Sequence, residues 1–111
     1  MAEANVLERL ETVIAERLKA GEATSYVGSL NSKGHDHILK KVAEEAVETV
    51  IASKSGDRGS IVHETADLFF HLLVMLSWHG IAFADVLREL ERREGRSGLD
   101  EKASRDKGKE P

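Results

Sequence analysis

The sequence has no cysteine. That excludes a disulfide framework and any thiolate metal site, and it fits a reducing, cytoplasmic setting. Proline occurs once, as the last residue, and runs of β-branched residues are few, so nothing in the interior opposes helix. Basic residues are in deficit: 16 Lys and Arg face 20 Asp and Glu, a net charge of −4 that argues against binding nucleic acid. Long apolar runs are lacking too. The longest, Leu72 to Leu76, is far short of the roughly 20 residues that cross a bilayer. The first 22 residues are amphipathic and rich in glutamate, unlike a signal or transit peptide. What remains is a 111-residue soluble chain, one domain's worth, with a core small enough that self-association is expected.

Apolar residues recur at helical spacing. Leu7, Leu10, Ile14 and Leu18 mark a first helix that Gly21 ends. Residues 22–34 read as a loop with one helical turn carrying Tyr26, Val27 and Leu30. A second long helix is expected from an Asp36 cap to the Ser55-Gly56-Asp57 turn. Its apolar stripe is Ile38, Leu39, Val42, Ala46 and Val50, widened by Ala43, Val47 and Ile51. Ser60 is expected to cap a third helix ending near His79 and Gly80. A fourth, from Phe83 to Glu94, is expected to bury Phe83, Val86, Leu87 and Leu90. The fold class is all-α, a four-helix bundle or part of one spanning residues 1–105, with a polar tail over 106–111.

Two clusters carry chemistry. The second helix holds Glu44-Glu45-Ala46-Val47-Glu48, and the third holds Glu64-Thr65-Ala66-Asp67. Residues three apart on a helix lie roughly 60° from each other, so Glu45/Glu48 and Glu64/Asp67 are same-face pairs. Fifteen residues separate Glu48 from Glu64, a connection that folds the helices back antiparallel and can set the pairs opposite each other. On the second helix alone these glutamates, with Lys41, lie opposite the apolar stripe and read equally as a solvated face. The third helix differs: from Ala66 to Trp78 it is apolar on nearly every side, so Asp67 and His71 project from a helix expected to be buried all round. Buried, facing carboxylates need compensation, and that helix offers no Lys or Arg between Ser60 and Trp78. A hard divalent cation with oxygen ligands supplies it, and magnesium in such a site prefers a di- or triphosphate ligand. A di-iron bundle calls for Glu-x-x-His, which is not the pattern here.

The E-E-x-x-E and E-x-x-D blocks resemble the all-α nucleoside-triphosphate pyrophosphohydrolases. The flanking blocks narrow this: Ser25-Tyr26-Val27, Leu30, Lys33-Gly34, residues 38–48, residues 66–74 and residues 97–105 resemble the phosphoribosyl-ATP pyrophosphohydrolase family over roughly residues 5 to 105. The resemblance implies hydrolysis of phosphoribosyl-ATP to phosphoribosyl-AMP and pyrophosphate, the second step of histidine synthesis. It further implies a homodimer and Glu45, Glu48, Glu64 and Asp67 as ligands of Mg²⁺, with Mn²⁺ as a substitute. With no cysteine for a fused zinc-binding cyclohydrolase domain, the chain looks like the stand-alone form. The alternatives are a house-cleaning nucleoside-triphosphate pyrophosphatase of the same superfamily and a non-catalytic dimerisation module. The family often opens its last helix with Ser-Pro; Ala82-Phe83 stands here, an expected loss of one cap.

Among catalytic candidates Glu44 is a possible base or a surface glutamate. Lys41, Lys33 and Lys40 are candidate phosphate contacts, Lys41 also a plain partner for Glu45. Tyr26 either stacks on the adenine or anchors its loop. His71 is expected in the core or behind the ligands, His35, His37, His63 and His79 facing solvent, and Trp78 in the core or an interface. A monomer burying the apolar stripe of the second helix leaves its glutamates in water. An obligate dimer with an apolar centre is therefore expected.

Overall fold

The computed structural model describes residues 2–21, 25–95, 102 and 105, with side chains from Val6 onward. The described residues form five helices and no strand: α1 (Ala2–Ala20), α2 (Tyr26–Lys33), α3 (His35–Ser55), α4 (Arg58–Trp78) and α5 (Phe83–Arg93). The polar tail over 106–111 and most of the 97–105 block lie outside the described residues.

The α1 stripe is as read: Ile14 is fully buried, with Leu7, Leu10 and Leu18 against it. The segment expected to be a loop with one turn is instead an eight-residue helix, α2. Ser25 caps it, its hydroxyl accepting from the Gly28 amide at 3.0 Å, and Val27 and Leu30 drive it into the core. Gly34, at φ 101°, both ends α2 and begins α3, a backbone that L side chains avoid. Asp36 therefore lies within the first turn of α3 and does not cap it. Nor does Ser60 cap α4. Asp57 does, accepting from the Ser60 amide at 2.9 Å and the Ser60 hydroxyl at 2.7 Å; these bonds hold its carboxyl below the ordinary carboxylate range.

α3 and α4 form an antiparallel hairpin closed by the two residues Gly56-Asp57. The Thr49 hydroxyl sets its register, lying 2.7 Å from the Glu45 carbonyl on its own helix and 3.1 Å from the Glu64 carbonyl across the pair. α1 packs on α4, α2 packs on α3, and α1 packs on α2. Together they cover one face of the hairpin, and among the described residues the other is left open.

That open face changes the expected burial of α3. The residues α3 buries are Ile38, Glu45 and Ala52, one line at seven-residue spacing, while Val47, Val50 and Ile51 are about 60 % exposed. Of the expected stripe Ile38 is buried and Val42 and Ala46 are half-buried, but Leu39 and Val50 face out, while a glutamate faces in. α4 likewise is not buried all round: Val62, Ala66 and Phe69 form an exposed stripe level with that of α3. By length and composition α4 could cross a membrane, which its five-residue apolar run understated. Here it lies packed on α1 and α3, with Glu64 and Asp67 along its length.

α5 buries none of its residues; Phe83 and Val86 are half-buried, and Leu87 and Leu90 are exposed, contrary to expectation. Its start is not uncapped. Ala82 offers no side-chain bond, but Glu11 of α1 reaches across, its Oε2 accepting from the Phe83 amide at 2.6 Å. A proline there has no such amide to give. The carboxylate also meets the positive end of the helix dipole. Glu11→Ala should cost about 1 kcal/mol. Because α5 is lightly packed, the loss is expected as faster amide exchange across Phe83–Leu90 with little change elsewhere.

Two histidines expected in solvent are partly enclosed. His35 stacks on Trp78 with ring centroids 3.9 Å apart and planes 7° from parallel, and its Nε2 is buried without a partner; His37 is half-buried. Trp78, expected in a core or interface, is itself exposed on its remaining surface.

Candidate functional site

Halfway along the hairpin the two carboxylate pairs meet. One oxygen each from Glu45, Glu48 and Glu64 lie within 4.8 Å of one another. Asp67, one turn beyond Glu64, acts on Glu45 through space. Glu45 is only 6 % exposed, because α3 crosses α4 at that level. Glu48, exposed, has an oxygen within 4.8 Å of one on each of the other two.

Burial is the first cause that pushes the Glu45 carboxyl above its ordinary range; the charges of Glu48 and Asp67 add to it. Glu64 is pushed the same way, by desolvation and then by the neighbouring Glu48 carboxyl. Lys41 supplies partial relief, 3.3 Å from Glu44 and 3.7 Å from Glu45, and the bond to Glu44 raises the lysine in turn. It does not reach the deepest oxygens: Glu45 Oε2 and Glu64 Oε2 are both buried without a hydrogen-bond partner. Unpaired buried anions are costly, so this donor set of clustered oxygens fits a hard divalent cation.

Behind the carboxylates lies a contact that sequence reading did not foresee. His71 is buried, and its Nδ1 lies 2.7 Å from the Asp67 carbonyl, which can only accept; Nδ1 therefore carries a proton. In the neutral ring Nε2 is then the acceptor for the Tyr26 hydroxyl, 2.7 Å away. The bond ties α2 to α4 beside the Glu64–Asp67 pair. The Tyr26 ring stays half exposed, and burial raises its phenol above the usual range. Of the remaining candidates, Glu44 pairs with Lys41 at the edge of the cluster and borders an open hollow with Ala43, Val47 and Glu48. Lys33 and Lys40 are exposed, and among the described residues no contact joins them to the carboxylates.

The comparisons with known proteins agree with one another. The family model described as phosphoribosyl-ATP pyrophosphohydrolase matches residues 7–94. A phosphoribosyl-ATP pyrophosphatase of Rhizorhabdus wittichii is 57 % identical over 102 residues, covering 92 % of this chain and 96 % of that one. Proteins of the same name from Chromobacterium violaceum and Novosphingobium aromaticivorans are each 54 % identical. They cover 91 % and 95 % of this chain, and 94 % and 98 % of their own. With the match running from α1 through α5, the chain belongs to the phosphoribosyl-ATP pyrophosphohydrolase family.

Proposed function

We propose that this chain hydrolyses phosphoribosyl-ATP to phosphoribosyl-AMP and pyrophosphate, the second step of histidine biosynthesis, with Mg²⁺ held by Glu45, Glu48, Glu64 and Asp67. The observation that carries the reading is the pair of buried, unpartnered oxygens on Glu45 and Glu64, in a chain of this family. When bound, the cation supplies charge stabilisation for the triphosphate and the departing pyrophosphate.

The chain's own groups do the rest. The α3–α4 crossing holds the carboxylates in place, with Thr49 fixing the register, so little rearrangement is needed when substrate arrives. Lys41, half-buried beside Glu45, is placed to turn from the glutamates to a phosphate oxygen. Glu44, released from Lys41 by that turn, becomes free to accept a proton from an attacking water. The Tyr26 hydroxyl is committed to His71, which fixes the ring at the edge of the site and leaves its exposed part for the adenine; anchoring and stacking are compatible. Lys33 and Lys40 would meet substrate only from the periphery.

The open face of the hairpin completes the picture. Val47, Val50 and Ile51 on α3 and Val62 and Phe69 on α4 form one apolar surface, and a second copy covering it makes a four-helix bundle of two hairpins. The same pairing walls in the exposed side of Glu48, which borders Val47.

The test is an assay of purified protein against phosphoribosyl-ATP and a panel of ordinary and damaged nucleoside triphosphates, with and without EDTA. Pyrophosphate should appear from phosphoribosyl-ATP in preference to the panel, cease with chelator, and return with Mg²⁺ or Mn²⁺. Equal turnover of the panel points to a house-cleaning pyrophosphatase, and full turnover in chelator removes the metal site.

A further inference from the structure

His63 stands on α4 one residue before Glu64 and one turn before Asp67. Its Nε2 lies 3.4 Å from Asp67 Oδ2. One ring nitrogen of His63 and one oxygen each of Glu64 and Asp67 lie within 4.8 Å of one another, as do the oxygens of Glu45, Glu48 and Glu64. Glu64 belongs to both triads. One of its oxygens is buried without a partner, as is Glu45 Oε2, on a side chain more than nine-tenths buried beside the same groups.

We propose that the site has two cation positions sharing Glu64: an inner one of oxygens alone, and an outer one in which His63 adds a nitrogen ligand. The inference rests on the carboxylate reading given above and goes beyond it in assigning His63 and a second class of metal. Ligands on adjacent corners of an octahedron with bonds near 2.1 Å stand roughly 3 Å apart, so the His63–Asp67 spacing needs little adjustment. The two positions differ in chemistry. Mg²⁺ favours oxygen and keeps its waters, which suits the inner position; imidazole favours divalent transition metals such as Co²⁺ or Zn²⁺. They differ in access as well. The side chains of His63 and Asp67 are 71 % and 42 % exposed, so the outer position opens to solvent and to an arriving phosphate, while Glu45 lies deep.

Calorimetric titration of the untagged protein with Co²⁺ and with Mg²⁺, above the pH range where imidazole protonates, tests this without any turnover. The wild type should take two Co²⁺ per chain. His63→Gln should weaken one of them at least about tenfold and change its visible absorption, while Mg²⁺ binding stays within about twofold. Glu64→Gln should weaken both cations. Unchanged Co²⁺ affinity and spectrum in His63→Gln, or a single Co²⁺ in the wild type, overturns the outer position and leaves the inner one standing. A wild type that binds neither cation fails the carboxylate reading itself.

Discussion

Replacing Glu45 with glutamine should lower turnover on the order of a thousandfold while leaving the metal-free protein no less stable than its parent. Losing the deepest of the proposed ligands should forfeit several kcal/mol of charge stabilisation, and each 1.4 kcal/mol is tenfold in rate. Without metal the same carboxylate is a burden: it is nearly inaccessible, one oxygen has no partner, and Glu48 and Asp67 repel it. The pH dependence follows. A carboxyl whose pKa rises on folding keeps its proton in the folded chain at pH values where the unfolded chain has lost it. Stability is therefore lost as pH climbs from the ordinary value of 4.5, and the loss is complete once pH passes the raised value. The metal-free parent should thus melt at a higher temperature near pH 5 than near pH 8. Glu45→Gln should flatten that slope, and saturating Mg²⁺ should reverse it, since cation binds the ionised form. A Glu45→Gln protein that is strongly destabilised yet active would make Glu45 a structural partner instead of a ligand.

Phe69→Glu should convert a dimer into a folded monomer. Phe69 is 46 % exposed in the single chain, so the substitution leaves the protomer's own core intact. Across a two-fold interface the change occurs twice, and each buried phenylalanine contributes about 1.5–3 kcal/mol. Because Phe69 is already about half covered in the single chain, the two together amount to about tenfold to a hundredfold in dissociation constant, before the cost of burying two carboxylates is added. Sedimentation at low micromolar concentration should show dimer for the parent and monomer for the variant, with matching helix content. A variant that stays dimeric would place the interface elsewhere; a fully active monomeric parent would remove it.

The helices were legible where one stripe of leucine and isoleucine meets one core, as along Leu7, Leu10, Ile14 and Leu18. The carboxylate pairs were legible too, because three-residue spacing fixes a helix face whatever surrounds it. Orientation was not. Hydrophobicity says which side of α3 avoids water, not whether its own chain or another covers it, so Glu45 was assigned to the wet side and Val50 to the dry one. Caps failed for a related reason: Asp57 and Ser60 are equally good capping types, and only the backbone decides between them. The bonds from Glu11 to Phe83 and from Tyr26 to His71 span 72 and 45 residues, and no local pattern signals either.

The two-residue turn between α3 and α4 bears on how the chain folds. From Glu45 to Asp67 the carboxylate set lies within a single hairpin, whose contacts join residues near in sequence and cost little loop-closure entropy. Like charges thus meet in an element suited to early formation, well before the distant contacts of α1 and α5 need exist. A metal-free chain that forms this hairpin early would climb an electrostatic slope there, and a divalent cation bound to it would lower the barrier to folding as well as the energy of the folded state.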